Sequence, residues 1–134
     1  MHTYPITLIA ASFLGLILLY LSINVVRLRW SEKVSLGGSA KENPRLFKAV
    51  RAHSNFIEYV PTVLIILGLL ESKKASTSLL ITISVLLVIG RLLHLFGLQK
   101  KREVNNFRIV GSLATFMSLL IACLGGVYIA FFAA

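Results

Sequence analysis

The chain has 134 residues, a length that suits one domain, and 57% of its residues are hydrophobic while 14% are charged. Soluble domains are about half apolar and about one quarter charged, so this composition excludes a soluble globule. The formal net charge is +9, but the basic residues cluster between apolar runs and do not cover a soluble face. This distribution argues against nucleic acid as a partner.

Four apolar runs are each long enough to span a lipid bilayer as a helix. They predict an all-α integral membrane protein, in which residues 1–134 form a single membrane domain with four transmembrane helices in an up-and-down bundle. The predicted helices span approximately residues 5–29, 44–71, 75–98 and 106–132.

The basic residues indicate which side of the membrane each loop faces. The second interhelical segment has only Lys73 and Lys74, and the two ends of the chain have no lysine or arginine. The first and third segments are richer in both, and the bases around the third are Lys100, Lys101, Arg102 and Arg108. By the positive-inside rule, we expect both termini outside and loops one and three in the cytoplasm.

The second helix carries polar side chains before its apolar part. Arg51, Asn55 and Glu58 stand at i, i+4 and i+7, so they share one face of a helix. Ionisable groups are costly inside a membrane, by about 2.5–3.5 kcal/mol for Arg, Lys or Asp at a helix centre on insertion scales. This stripe therefore needs partners, a bound ligand, or both.

Further polar residues fall in the same cytoplasmic half of the bilayer, namely Arg27, Arg91, His94 and Arg108. Several cations then surround one carboxylate, which suits a small, mainly anionic ligand that also carries a cationic group. Arginines would bind its carboxylates, Glu58 would meet an ammonium group, and Asn55 would donate and accept at an amide. Glutathione fits this description, and so do other amphoteric metabolites.

A purely structural role is open for the same residues. Glu58 can form an ion pair that fixes the register of the helices, and its candidate partners are Arg27, Arg51 and Arg91. His53 lies off the stripe and is expected to pack at an interface or cap a neighbour. The histidines and Glu58 have no recognised metal-ligand spacing, so no metal site is predicted.

Three segments carry a family resemblance: residues 51–61 (RAHSNFIEYVP), residues 26–29 (VRLR) and residues 90–94 (GRLLH). Together they resemble the MAPEG superfamily, the membrane-associated proteins of eicosanoid and glutathione metabolism. The EYVP form at residues 58–61 is similar to the short bacterial branch. The resemblance covers nearly the whole chain, including its four helices and their spacing.

The resemblance implies a homotrimer in the inner membrane, with glutathione as cosubstrate bound between neighbouring subunits near the cytoplasmic face. The positions that match glutathione contacts are Arg27, Arg51, Asn55, Glu58, Arg91 and His94. Arg108 matches the arginine that lies by the glutathione sulfur in catalytic members. There it would lower the pKa of the thiol and hold the thiolate that attacks an electrophile.

Two positions depart from the catalytic members. Leu98 stands where they often have a tyrosine, and Ile109 follows Arg108 where the prostaglandin synthase branch has a serine. These departures argue against prostaglandin synthase chemistry. Two functions are predicted: a glutathione transferase or peroxidase that acts on hydrophobic electrophiles from the bilayer, or a noncatalytic membrane scaffold or lipid-binding protein with a structural polar cluster.

Overall fold

The computed structural model describes residues 4–99 and 105–132, apart from the side chains of Leu98 and Gln99. It contains four α-helices: α1 Pro5–Glu32, α2 Pro44–Ser72, α3 Thr77–Gln99 and α4 Asn106–Phe132. All four are long enough and apolar enough to cross a membrane, and the described ranges contain no strand. The predicted all-α fold with four transmembrane helices is confirmed. The basic third-loop residues Lys100, Lys101 and Arg102 lie outside the described residues.

Two helix ends differ from the predicted ranges by more than one residue. α1 continues past residue 29 to Glu32. It ends where Lys33 takes a left-handed conformation with φ 54°. α3 begins at Thr77 and not at residue 75, because Ser76 caps its first turn by accepting a backbone N–H at 3.4 Å. The assignment of residues 1–134 to a single domain stays a prediction.

α2 and α3 lie at the centre of the bundle. α1 and α4 each contact both of them, but within the described ranges α1 and α4 do not contact each other. The fully buried core side chains include Leu14, Val63, Leu67, Ile83 and Leu87. Large apolar side chains also cover the outward faces of α1 and α4, as expected for helices that contact lipid.

Glycines allow α3 and α4 to approach closely. A Cβ on Gly111 would lie 2.5 Å from the backbone nitrogen of His94 and 2.7 Å from the carbonyl oxygen of Gly90. Nearer the start of α4, a Cβ on Gly97 would lie 2.7 Å from the backbone nitrogen of Arg108. Such backbone contact is typical of small residues at helix crossings in membranes. The crossing therefore sets the polar residues of α3 directly against α4.

Two polar contacts fix α1 along α2. At one end, Glu71 accepts hydrogen bonds from the backbone N–H groups of Ile6 at 3.0 Å and Thr7 at 2.8 Å. A carboxylate at this position satisfies donors that the first turn of a helix leaves free. Nearer the other end, His53 Nε2 lies 3.2 Å from Ser22 Oγ, so His53 packs against a neighbouring helix as the sequence suggests.

We expect Gly111→Ala to destabilise the protein, because the new Cβ would meet a backbone atom of His94 and force α3 and α4 apart. Overpacking of this kind typically costs about 1–3 kcal/mol. The measurement is the melting temperature in detergent. The control is Gly15→Ala in α1, where an added Cβ meets nothing within 4 Å. Equal melting temperatures for the two variants would contradict the close crossing.

Candidate functional site

The centre of the candidate site is Arg91 of α3, whose side chain is 2% exposed. Its Nε and Nη2 donate to Oγ1 of Thr115 in α4, at 3.1 and 2.7 Å. Its Nη1 donates to Asn55 in α2, at 2.8 Å to Oδ1 and at 3.3 Å to the carbonyl oxygen. One buried guanidinium therefore connects three helices through neutral acceptors.

Thr115 is fully buried and uses all of its hydrogen-bonding capacity. Its hydroxyl donates to the carbonyl oxygen of Gly111 at 2.9 Å, which leaves both lone pairs of Oγ1 to accept from Arg91. The sequence analysis missed Thr115, because a threonine in an apolar run resembles a packing residue. Its position four residues after Gly111 places it on the same face of α4, but the sequence does not show that this face crosses α3.

The three polar residues of the α2 stripe, Arg51, Asn55 and Glu58, differ in their surroundings. Asn55 is half-buried against Arg91, whereas Arg51 and Glu58 are exposed on the single chain. Glu58 forms no ion pair or hydrogen bond with any described residue, Arg27, Arg51 and Arg91 included. Within one subunit, the structural ion pair that would account for Glu58 is therefore not formed.

Arg108 and His94 lie where α3 crosses the start of α4. The half-buried side chain of Arg108 passes over Gly97. Asn105 caps this turn, since its Oδ1 accepts the Arg108 N–H at 3.1 Å and its Nδ2 donates to the Gly97 carbonyl at 2.7 Å. His94 is 6% exposed, stands one turn after Arg91 on α3, and lies with its backbone against Gly111 of α4. The predicted residues Arg91, His94 and Arg108 thus lie together where α3 crosses α4.

Arg27 of α1 does not join this group within the subunit. Its side chain is exposed, and its Nη2 donates to Oδ1 of Asn24 on the same helix at 3.1 Å. Its role as a glutathione contact stays a prediction, and so do the roles of the other site residues.

A groove between α1 and α3 contains two cavities of about 570 and 330 Å³, and Phe13 lines both. The larger is lined by apolar side chains and by Ser84. The smaller lies nearer the basic end of α3, where Leu95 and Phe96 follow directly after His94. The groove offers apolar space between α1 and α3, and none of the polar site residues lines its two cavities.

Comparison with known proteins places these features in a family. The model of the MAPEG family matches residues 7–128. The proteins described as inner membrane protein YecN, from Escherichia coli strain K12 and from Escherichia coli O6:H1 strain CFT073, are each 30% identical over 114 residues. The matched region covers 85% of this chain and 84% of each relative. No solved structure matches. Since the family model extends from α1 into α4, the chain belongs to the MAPEG family.

Proposed function

We propose that the protein is a glutathione-binding protein of the inner membrane, and that it acts as a glutathione transferase or peroxidase on hydrophobic electrophiles. The observation that carries the proposal is the exposed pair of opposite charges on α2, Arg51 and Glu58, with Asn55 between them. Neither charge has a partner among the described residues. Glutathione supplies a carboxylate for the arginine and an ammonium group for the glutamate.

The spacing of the two charges also suits a tripeptide. At 1.5 Å per residue, Arg51 and Glu58 are separated by roughly 10 Å along the helix axis. Three extended residues span at most about 10–11 Å. A ligand of this size therefore reaches both charges while its peptide groups pass Asn55.

The chemistry in this proposal belongs to Arg108. Its guanidinium stabilises the thiolate of bound glutathione, the form of the sulfur that attacks an electrophile. In the transferase reaction a carbon–sulfur bond forms, and the leaving group departs with its bonding electrons. The apolar groove between α1 and α3 is the space in which a membrane-dissolved electrophile would be held.

The proposal includes a homotrimer with glutathione between neighbouring subunits. It is supported by Arg27, which contacts none of the other predicted ligand residues within its own subunit, so that a neighbouring copy is needed to bring it to the ligand. The inner-membrane location follows the description of the two relatives. The proposed orientation has both termini outside and loops one and three in the cytoplasm.

A noncatalytic membrane scaffold is the second candidate function. The observation that favours it is the set of hydrogen bonds around Arg91, which connects α2, α3 and α4 through side chains of the protein itself. In that case the polar cluster would serve only to hold the helices in register.

We expect Arg108→Ala to lower the glutathione-dependent turnover of a generic aryl halide in detergent by about 10²–10³-fold, the typical cost of removing one electrostatic stabiliser from an active site. The control is Arg45→Ala, an exposed base in the first turn of α2. Turnover by Arg108→Ala equal to wild type would contradict the role of Arg108. An intact wild-type trimer without glutathione-dependent turnover would favour the scaffold.

We expect Glu58→Gln to weaken glutathione binding by about tenfold or more, because it removes a charged hydrogen-bond acceptor from the ligand. The melting temperature and the oligomeric state should not change, since Glu58 has no described partner within the subunit. Equilibrium dialysis with radiolabelled glutathione and size-exclusion chromatography with light scattering measure the two properties. The control is Glu42→Gln in the first loop. Monomers or aggregates of Glu58→Gln would instead show a structural ion pair between subunits.

A further inference from the structure

The hydrogen bonds of Arg91 determine the orientation of the Asn55 amide. A guanidinium only donates, so the atom of the amide that faces it at 2.8 Å is the oxygen Oδ1. The Asn55 NH2 group donates to no described residue, and the side chain is half-buried. Its N–H bonds are therefore available to a ligand on the face that Asn55 shares with Arg51 and Glu58.

We propose that Thr115 is a positioning residue, which acts through Arg91 to hold Asn55 as a hydrogen-bond donor toward the ligand. The ligand group opposite Asn55 is then an oxygen acceptor, a carboxylate or a peptide carbonyl, and not an N–H group. This inference rests on the proposed function and narrows the expectation that Asn55 both donates and accepts. It also adds to the site a residue of α4 that does not itself contact the ligand.

Thr115 can fix Arg91 because its hydroxyl hydrogen is already committed to the carbonyl oxygen of Gly111, at 2.9 Å. Oγ1 therefore presents only lone pairs to Arg91 and accepts from both Nε and Nη2. Two contacts on one edge of the guanidinium set its plane, and Nη1 on the other edge is directed at Asn55. The positive charge polarises the amide as well, which strengthens its NH2 group as a donor.

Loss of the Thr115 hydroxyl would change this arrangement. The buried guanidinium would keep two N–H groups without an acceptor, and such groups are costly to leave unpaired. Arg91 would turn toward other acceptors, and the Asn55 amide would be free to rotate. The structure thus predicts an effect on ligand binding from a side chain on the opposite side of Arg91.

The first test is Asn55→Asp, which keeps an oxygen acceptor for Arg91 and removes the donor. We expect the melting temperature to be maintained and the dissociation constant for glutathione to rise by more than about tenfold, since a charged ligand oxygen loses its donor and meets a carboxylate. Unchanged affinity, or tighter binding through a ligand N–H group, would overturn the inference.

The second test compares Thr115→Val with Thr115→Ser. Valine keeps the shape of the side chain without the hydroxyl, and we expect it to weaken glutathione binding by about fivefold or more. Serine restores the hydroxyl and should return the dissociation constant to near the wild-type value. The control is Ser118→Ala, which removes a buried hydrogen bond of 2.9 Å from α4 to the Ile83 carbonyl of α3 without touching Arg91.

The control separates positioning from general loosening of the bundle. Ser118→Ala is expected to lower the melting temperature and to leave glutathione affinity unchanged. Equal affinity for folded Thr115→Val and wild type would overturn the positioning role. If Thr115→Val fails to fold, Thr115→Ala takes its place, and Asn55→Asp separately tests whether Asn55 donates to the ligand. Wild-type protein that does not retain glutathione would overturn the proposed function itself. Wild-type binding with unchanged affinity in both test variants would overturn only this inference.

Discussion

The buried guanidinium of Arg91 is the interaction on which the arrangement of α2, α3 and α4 depends. A charge at 2% exposure is stable only when its hydrogen-bonding groups find partners, and here those partners come from two other helices. Thr115 can approach because Gly90 has no side chain; a Cβ there would lie 2.8 Å from Thr115 Oγ1. The close approach of α3 and α4 at their glycines is therefore what allows Thr115 to reach Arg91.

The structure divides the predicted polar residues into an inner and an outer group. Arg91 and His94 are buried, and the hydrogen bonds of Arg91 are made within the subunit. Arg51 and Glu58 lie on the outside of the single chain and have no described partner. Asn55 belongs to both groups, because its oxygen faces Arg91 while its NH2 group is available. We infer that Arg91 supports the binding face through Asn55.

The sequence predicts the helices because backbone groups in a bilayer must be satisfied within each segment, so long apolar runs have no alternative to a helix. It also predicts the α2 stripe, since Arg51, Asn55 and Glu58 are placed by helical period alone. It does not predict Thr115, whose role depends on how α4 is rotated against α3. That rotation follows from contact between Gly111 and the backbone of His94, which no local pattern encodes.

The choice of acceptors around Arg91 argues against an ion pair within the subunit as the role of Glu58. A carboxylate is the strongest partner for a buried guanidinium, and Glu58 lies within one turn of Asn55 on the same helix. A cluster that served only to join helices would bring Arg91 and Glu58 together. The structure instead satisfies Arg91 with neutral oxygens and leaves Glu58 exposed at membrane depth. An unpaired carboxylate is costly at that depth, and a cation from outside the subunit would offset the cost, either the ammonium group of a ligand or a base of a neighbouring copy.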